Sequence, residues 1–433
     1  MKTTELQETT DTQLQRIAWL SARDRHKQFD CLMHHFNEAS LAASFHTLDG
    51  RKALGVDGVS KADYGEHLEE HLKELVQRMR RMGYRPGPVR RVLIPKEDKP
   101  GATRPLGISN FEDKLVQVMM HKVLEAIYEP LFLGCSYGFR PGRGPHDAIR
   151  ALYQHLYQHE VESVIDVDLA SYFDSIDHKG LLELLREKIK DRRFLRYLTR
   201  MLKAGVLNEG ELRLDDEGVP QGSVCSPILA NVYAHYVLDE WFEGTVKRHC
   251  EGEVELFRYA DDMVICCRYE GDARRIHKAL KGRLGKYGLL MNEEKTQLVD
   301  FSREGPSGEF SFLGFTFYQG KSRRGHRIPK VKTNGKRLSR KLKRVTTWAK
   351  GIRSRERLMK IWNIFCAKVR GHIRYYGVSF NLRAVSKFVY QALRILFKWL
   401  NRRSQRRSMT WEQFWLFVQT NSLPRVAVYH PLY

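Results

Sequence analysis

Two neighbouring carboxylates, Asp261 and Asp262, stand between apolar runs, Leu256-Phe257-Arg258-Tyr259 before them and Met263-Val264-Ile265 after. Two such runs about a short acidic tip predict a β-hairpin. An acidic pair at a hairpin tip is by itself ordinary turn chemistry, since Asp tolerates turn conformations. The apolar flanks predict burial, however, and buried carboxylates need a partner. A further candidate lies in Val164-Ile165-Asp166-Val167-Asp168-Leu169, where alternation places Asp166 and Asp168 on one side of a predicted strand. Carboxylates on a tight turn, joined by one from a neighbouring strand, are hard oxygen ligands suited to Mg²⁺, which completes its shell with water and substrate phosphate. Two such ions about 3.5–4 Å apart activate an attacking hydroxyl and stabilise a leaving pyrophosphate. Phosphoryl transfer of this kind asks for positioning and charge neutralisation rather than a covalent nucleophile. No Ser/His/Asp arrangement or Gly-rich phosphate loop competes for the role.

The elements that must hold these residues follow from periodicity. Polar helices are expected between Thr12 and Glu74, broken around Gly55-Val56-Asp57-Gly58. Val89 to Pro95 reads as a strand, Gly101 to Gly107 as a turn-rich basic loop, and Asp113 to Ile127 as a helix that stops before Pro130. Gly305-Pro306-Ser307-Gly308 is a turn, and Gly320 to Gly325 is the expected domain boundary. Beyond it, apolar stripes at spacings of three and four run through Leu338–Ala349, Leu358–Tyr376 and Leu382–Trp399, predicting three amphipathic helices. From Thr410 the tail reads as a short packing helix followed by an extended end.

Charge singles out the same region. Between Lys321 and Arg407 stand 28 Lys and Arg residues against one acid, Glu356, while the whole chain carries +23. The imbalance therefore sits in one segment, and a patch of that kind repels itself unless a polyanion neutralises it. Tyr318, Trp348, Trp362, Tyr375, Tyr376 and Trp399 are interleaved with the cations, which points to nucleic acid. The 7 cysteines include no CxxC pair, so neither a disulfide framework nor a zinc knuckle is expected. No apolar run has the length of a membrane span or signal peptide; a cytoplasmic, nucleoid-associated protein without membrane or zinc partners is expected. His67-Leu68-Glu69-Glu70-His71 fits an inverted zinc-protease pattern, but no third ligand is evident and a solvated helix face accounts for it more simply.

Phe257-Arg258-Tyr259-Ala260-Asp261-Asp262 resembles the catalytic hairpin of reverse transcriptases, in the Ala form typical of the group II intron reverse transcriptase/maturase family. Other blocks appear in family order: Ala53 to Gly58, Val92 to Gly107, Ser136 to Gly142 with His146-Asp147-Ala148, Asp168 to Asp174, Gly218 to Ser223, Asn292 to Thr296 and Phe312 to Phe315. The resemblance implies an α+β right-hand polymerase: fingers and palm built on antiparallel sheet with packed helices, and an all-helical basic thumb. Its divisions would be residues 1–85 (N-terminal extension and start of the fingers), 86–320 (fingers and palm), 321–407 (thumb) and 408–433 (tail). It further implies RNA-directed DNA synthesis with two Mg²⁺ ions, Mn²⁺ being a possible substitute, on an RNA template with a DNA or RNA primer and dNTPs, together with binding of group II intron RNA. Asp168, Asp261 and Asp262 would be the metal ligands, aided by the Leu169 carbonyl. Lys96, Arg104, Phe173, Gln221 and Lys295 would bind the nucleotide, Phe173 disfavouring a ribose by bulk. Arg140, Pro220, Gly222, Tyr259 and Gly314 would meet template or primer. Asp166, Asp174 and Asp177 would be structural or solvent-facing. Many family members carry an appended Cys/His endonuclease region; none is visible here, so no cutting of target DNA is expected. An RNA-binding splicing cofactor without polymerase activity, or a free-standing retron-like, repair or defence enzyme, are the alternatives.

Overall fold

The computed structural model describes residues 2–95, 101–208, 211–213, 218, 222–305, 307–403 and 409–433. Four helices open the chain: α1 (Lys2–Arg23), α2 (Glu38–Thr47), α3 (Lys61–Glu66) and α4 (Leu68–Arg80). Strands β1 (Val89–Pro95) and β2 (Thr103–Ile108) follow, then helices α5 (Phe111–Tyr128) and α6 (Pro145–Gln158). Strand β3 (Ser163–Ala170) leads into α7 (His178–Lys188), α8 (Arg192–Leu202), and the short strands β4 (Val206–Asn208) and β5 (Glu211–Arg213). Helix α9 (Ser226–Ala234) continues as π-helical turns over His235–Asp239 and Phe242–Val246. The hairpin β6 (Val254–Tyr259) and β7 (Asp262–Cys267) precedes α10 (Glu270–Lys286), β8 (Leu290–Met291) and β9 (Gln297–Asp300). Last come β10 (Glu309–Phe312), β11 (Phe315–Lys321), β12 (Arg327–Thr333), α11 (Gly335–Ile352), α12 (Leu358–Tyr376), α13 (Leu382–Leu400) and α14 (Trp411–Thr420). Among the described residues no helix is long and apolar enough to cross a membrane.

Three sheets result. The first runs β2-β1-β4-β5, antiparallel except for the β1–β4 pair. The central sheet runs β6-β7-β3, with both β8 and β9 pairing antiparallel to β3. The third is the antiparallel meander β10-β11-β12.

Alternation along the central strands sends side chains into two cores. Ile165, Val167 and Leu169 of β3, with Met263, Ile265 and Cys267 of β7, pack into a core shared with α1, α2, α5, α7, α8 and α9. Val164 of β3, with Val264 and Cys266 of β7, enters a second core with α6, the β10-β11-β12 sheet, α12, α13 and α14.

Two local expectations change. Residues 101–107, expected as a loop, largely form β2, paired with β1 from Arg90↔Ile108 to Pro95↔Thr103. Pro105 is tolerated there because β2 is the sheet's edge and needs no outward donor. Gly320 to Gly325 is not a boundary: Gly320 pairs with Ile328 inside the β11–β12 hairpin, and Gly325 (φ +83°) turns it. The segment from Lys321 is therefore not all helical; its first part is strand, and helix begins at Gly335, capped by Asn334. The three helices coincide closely with the apolar stripes. After α14 the tail runs extended, and Leu432 is buried in the second core.

Candidate active site

The acidic residues occupy the face of the central sheet that elsewhere packs against the second core. Along it, Val164 stands opposite Cys266, Asp166 opposite Val264 and Asp168 opposite Asp262. The face thus passes from apolar and buried to acidic within three cross-strand pairs. Tyr259 pairs with Asp262, which leaves Ala260-Asp261 as a two-residue turn. Ala260 takes φ +57°, and Asp261 does not share the left-handed region, as in a type II′ turn. Glycine is the usual occupant of that first position; an L-residue there costs about 1–2 kcal/mol.

Two contacts hold the turn in that shape. From below, Arg258 is wholly buried and gives hydrogen bonds to Asp239 at 2.7 and 2.5 Å. It also donates to Asn231 Oδ1 (3.1 Å), Ser136 Oγ (2.8 Å) and the Ala260 carbonyl (3.2 Å). From the side, Gly138 lies so close that a Cβ would fall 2.5 Å from the Ala260 nitrogen. Asn231 Nδ2 donates to the Gly138 carbonyl at 2.7 Å, which joins the two supports. This network was not read from the sequence, where Arg258 is only a member of the hairpin motif. A cation flanked by apolar residues on a predicted strand was the available signal, because such a residue demands a buried counter-charge.

A second hairpin closes over the acids. Phe312 pairs with Phe315, and between them Leu313 (φ +49°) and Gly314 (φ +85°) form a type I′ turn. The Leu313 backbone lies beside the Asp262 carboxyl and the Ser311 backbone beside Asp166, each opposing the upward shift of that carboxyl. Tyr375 Oη of α12 donates to the Leu313 carbonyl at 2.8 Å, and the Gly314 carbonyl accepts from the Asn334 N–H at 3.1 Å. A Cβ on Gly314 would lie 3.0 Å from Arg337 Nη1 and from Tyr376 Oη, crowding the tips of side chains from α11 and α12.

The electrostatics are those of crowded anions. Burial, then Asp261, pushes Asp262 up to about 6, with Arg337 opposing. Burial, then Asp262, pushes Asp166 up to about 7. Desolvation, with Asp168, raises the Asp261 carboxyl as well, although its surface stays open. Asp168 is steadied by Lys295 Nζ at 2.9 Å and by Asn292, whose N–H reaches the Asp168 carbonyl at 2.8 Å. Four carboxylates thus cluster here, with Lys295 bearing on Asp168 and Asp261 and Arg337 on Asp262. Oxygen donors with excess negative charge are the kind that divalent hard cations take, although among the described residues their ligand atoms do not converge to within 4.8 Å of one another. Asp166, expected to be structural or solvent-facing, is half-buried on the same acidic face.

The other expected residues divide. Tyr259, half-buried, flanks the turn, and Leu169 buries its side chain in the first core, leaving only its backbone beside Asp168. Phe173 lies half-buried in a 3₁₀ turn just beyond β3. Gly218 abuts Asp174 of that turn, and Gly222 (φ +107°) abuts Gly107 so tightly that a Cβ would fall 2.4 Å from its carbonyl oxygen. The described ends of this segment thus lie one against Asp174, next to Phe173, and the other against β2, which carries the exposed Arg104. Asp177 caps α7 through the Gly180 N–H, and Asp174 is exposed. Lys96, Pro220 and Gln221 lie outside the described residues. Arg140 is a correction: it is buried, pairs with Glu129 at 2.8 Å and gives its remaining donors to the Leu133 and Ser136 carbonyls. Its guanidinium is spent on the fold and does not face template or primer. His67 and His71 do not share one helix either, since α4 begins only after His67.

A family model described as reverse transcriptase (RNA-dependent DNA polymerase) matches residues 94–317. Protein YkfC of Escherichia coli (strain K12) is 33% identical over 306 residues, covering 64% of this chain and 78% of that protein. The group II intron-encoded protein LtrA of Lactococcus lactis subsp. cremoris is 27% identical over 427 residues, covering 80% of this chain and 70% of that protein. An uncharacterized 91 kDa protein in cob intron of Schizosaccharomyces pombe is 44% identical over 172 residues, 40% of this chain and 21% of that protein. The matched span contains all four clustered carboxylates, and the family generally works with divalent metal ions. This chain belongs to the reverse transcriptase family of RNA-dependent DNA polymerases, among the group II intron-encoded reverse transcriptases and maturases.

Proposed function

We infer that the chain extends a DNA or RNA primer with dNTPs along an RNA template, with Asp168, Asp261 and Asp262 as the ligands of two ions, Mg²⁺ by preference. The observation that carries this reading is the Asp168–Asp262 cross-strand pair with Asp261 in the adjoining turn. When bound, the ions would activate the primer hydroxyl and stabilise the departing pyrophosphate. The protein's share is positional. Arg258 and Gly138 fix the turn, Leu313 orients Asp262, and Lys295 offers a cation to Asp168 or to a phosphate. Phe173, near the end of β3, is suited to sit beneath the incoming sugar, and the Leu313-Gly314 turn to meet the primer end. In hand terms, the β1–β2 sheet with α5 would be fingers, the central sheet palm, and α11 to α13 thumb.

The basic helices are the proposed surface for intron RNA, in keeping with the intron-encoded relative and the cations of residues 321–407. A role in RNA binding alone would not require four clustered carboxylates. Mg²⁺-dependent cDNA synthesis on a primed RNA is expected, abolished by Asp261→Ala/Asp262→Ala while salt-sensitive binding of structured RNA persists. Unchanged synthesis in that variant would refute the site; unchanged RNA affinity after neutralising cations of α11 to α13 would refute the RNA surface.

A further inference from the structure

The C-terminal end of α6 carries two histidines one turn apart. His155 lies in the last turn, and His159 caps the helix, its N–H bonded to the His155 carbonyl at 3.0 Å. Their rings stack with centroids 4.6 Å apart. Facing them is Glu253, the residue before β6, whose Oε2 lies 2.7 Å from His159 Nδ1. One ligand atom from each of the three lies within 4.8 Å of the other two. The trio is remote from the acidic turn: from Glu253 to Ala260 the β6 strand spans roughly 24 Å at about 3.4 Å per residue.

We propose that His155, His159 and Glu253 form a Zn²⁺ site, separate from the polymerase carboxylates, with a fourth position open to water. Two imidazoles and one carboxylate are a donor set that zinc takes with such an open position. Imidazole favours zinc and its late first-row neighbours, whereas Mg²⁺ prefers oxygen, so the two kinds of site do not compete for one ion. The ligands are held from outside. Arg303 Nη2 donates to the carbonyls of Leu156, Tyr157 and His159 at 2.9, 2.7 and 3.2 Å, which pins the end of α6. The Glu253 carbonyl accepts from the Arg268 N–H at 2.9 Å, which pins the approach to β6.

Neighbouring chemistry is compatible with a bound cation. His155 rests against Phe257, with ring centroids 5.6 Å apart. Lys247, a cation that bears on His155, is committed to Glu243 and Glu255, each at 2.8 Å. The His159–Glu253 contact must open to about 3.3 Å to admit an ion with bonds of about 2.0–2.1 Å. The Glu253 side chain, 49% exposed, is free to make that movement. The ordinary alternative is a simple surface ion pair, a weak interaction at this exposure. The absence of CxxC pairs does not bear on the proposal, because the site uses no thiolate.

A bound ion would clip α6 to the far end of the strand that leads into the catalytic turn, and would stabilise the folded chain by mass action. The test is calorimetric titration of Zn²⁺ into metal-stripped full-length protein, with Co²⁺ absorption as a geometric readout. One equivalent is expected to bind, with the d–d spectrum of a four-coordinate Co²⁺ site and a rise in unfolding temperature. Binding is expected to persist in Asp261→Asn/Asp262→Asn and to weaken at least tenfold in His159→Gln and Glu253→Gln, both surface changes. Absence of stoichiometric binding, or binding that is unaffected by those two substitutions or lost in the aspartate variant, would overturn the proposal.

Discussion

Removing the Arg258 guanidinium would leave Asp239 buried with its charge uncompensated, and breaking a buried pair in this way costs about 3–5 kcal/mol. Arg258→Met is therefore expected to lower unfolding free energy by about that amount in denaturant titrations. Replacing both partners, Arg258→Met with Asp239→Leu, should recover much of the stability, because apolar groups of similar volume fill the space without a lone charge. Activity should not recover with it, since the Ala260 carbonyl loses the donor that shapes the acidic turn. A double variant as active as the unaltered protein would show that the turn needs no such support. The acids themselves were legible from residue types and alternation. The support was not, because Arg258 takes its partners from Ser136, Asn231 and Asp239, segments that only the fold brings together. Arg140 misled for the same reason: a cation in a motif suggests nucleic acid, but Glu129 and backbone carbonyls had already consumed it.

Between elements, the decisive link is the β10–β11 turn. It lies beside Asp262 and is tethered to α12 by the Tyr375 hydroxyl, so the basic helices and the acidic strands meet at one turn. Tyr375→Phe deletes one hydrogen bond, worth about 1 kcal/mol. If the tether serves catalysis, single-turnover extension should slow about fivefold with little change in unfolding temperature. An unchanged rate would make Tyr375 a packing residue only. Helices with long apolar stripes were readable because each repeats its signal over many residues. Strand β2 was not, since Thr103-Arg104-Pro105-Leu106-Gly107 has turn-like composition and is a strand only because β1 lies beside it. Gly320 looked like a linker for a similar reason: a glycine-flanked hairpin tip and a linker share their composition.

At the scale of the molecule, two cores meet across the central sheet, and the second unites the basic helices with the strands that carry the acids. Charge segregation announced the basic region, but composition does not say which cations face outward. His372 bears on how that core responds to acid. It is buried, stacks on Phe388 at 3.6 Å, and neither ring nitrogen has a hydrogen-bond partner among the described residues. Burial, then Lys341, lowers its pKa to about 3, and burial, then His34, lowers that of His35 to about 4. An unfolded chain takes up these protons near pH 6.5. The stability these two histidines contribute is therefore full above pH 6.5 and is lost as pH drops toward about 4 and 3. His372→Phe should flatten that fall in urea unfolding between pH 7.5 and 5; an unaltered slope would assign the acid sensitivity to other groups.

The central claim is that Asp168 of β3 and the Asp261-Asp262 turn act as one metal site. Single-nucleotide extension of a primed RNA under single-turnover conditions, titrated with Mg²⁺, tests it most directly. Asp168→Asn, isosteric and on a separate strand, is expected to lower the maximal rate by at least a hundredfold and to leave binding of the primed RNA intact. A rate in Asp168→Asn within a few fold of the unaltered protein, at the same Mg²⁺ dependence, would contradict the account.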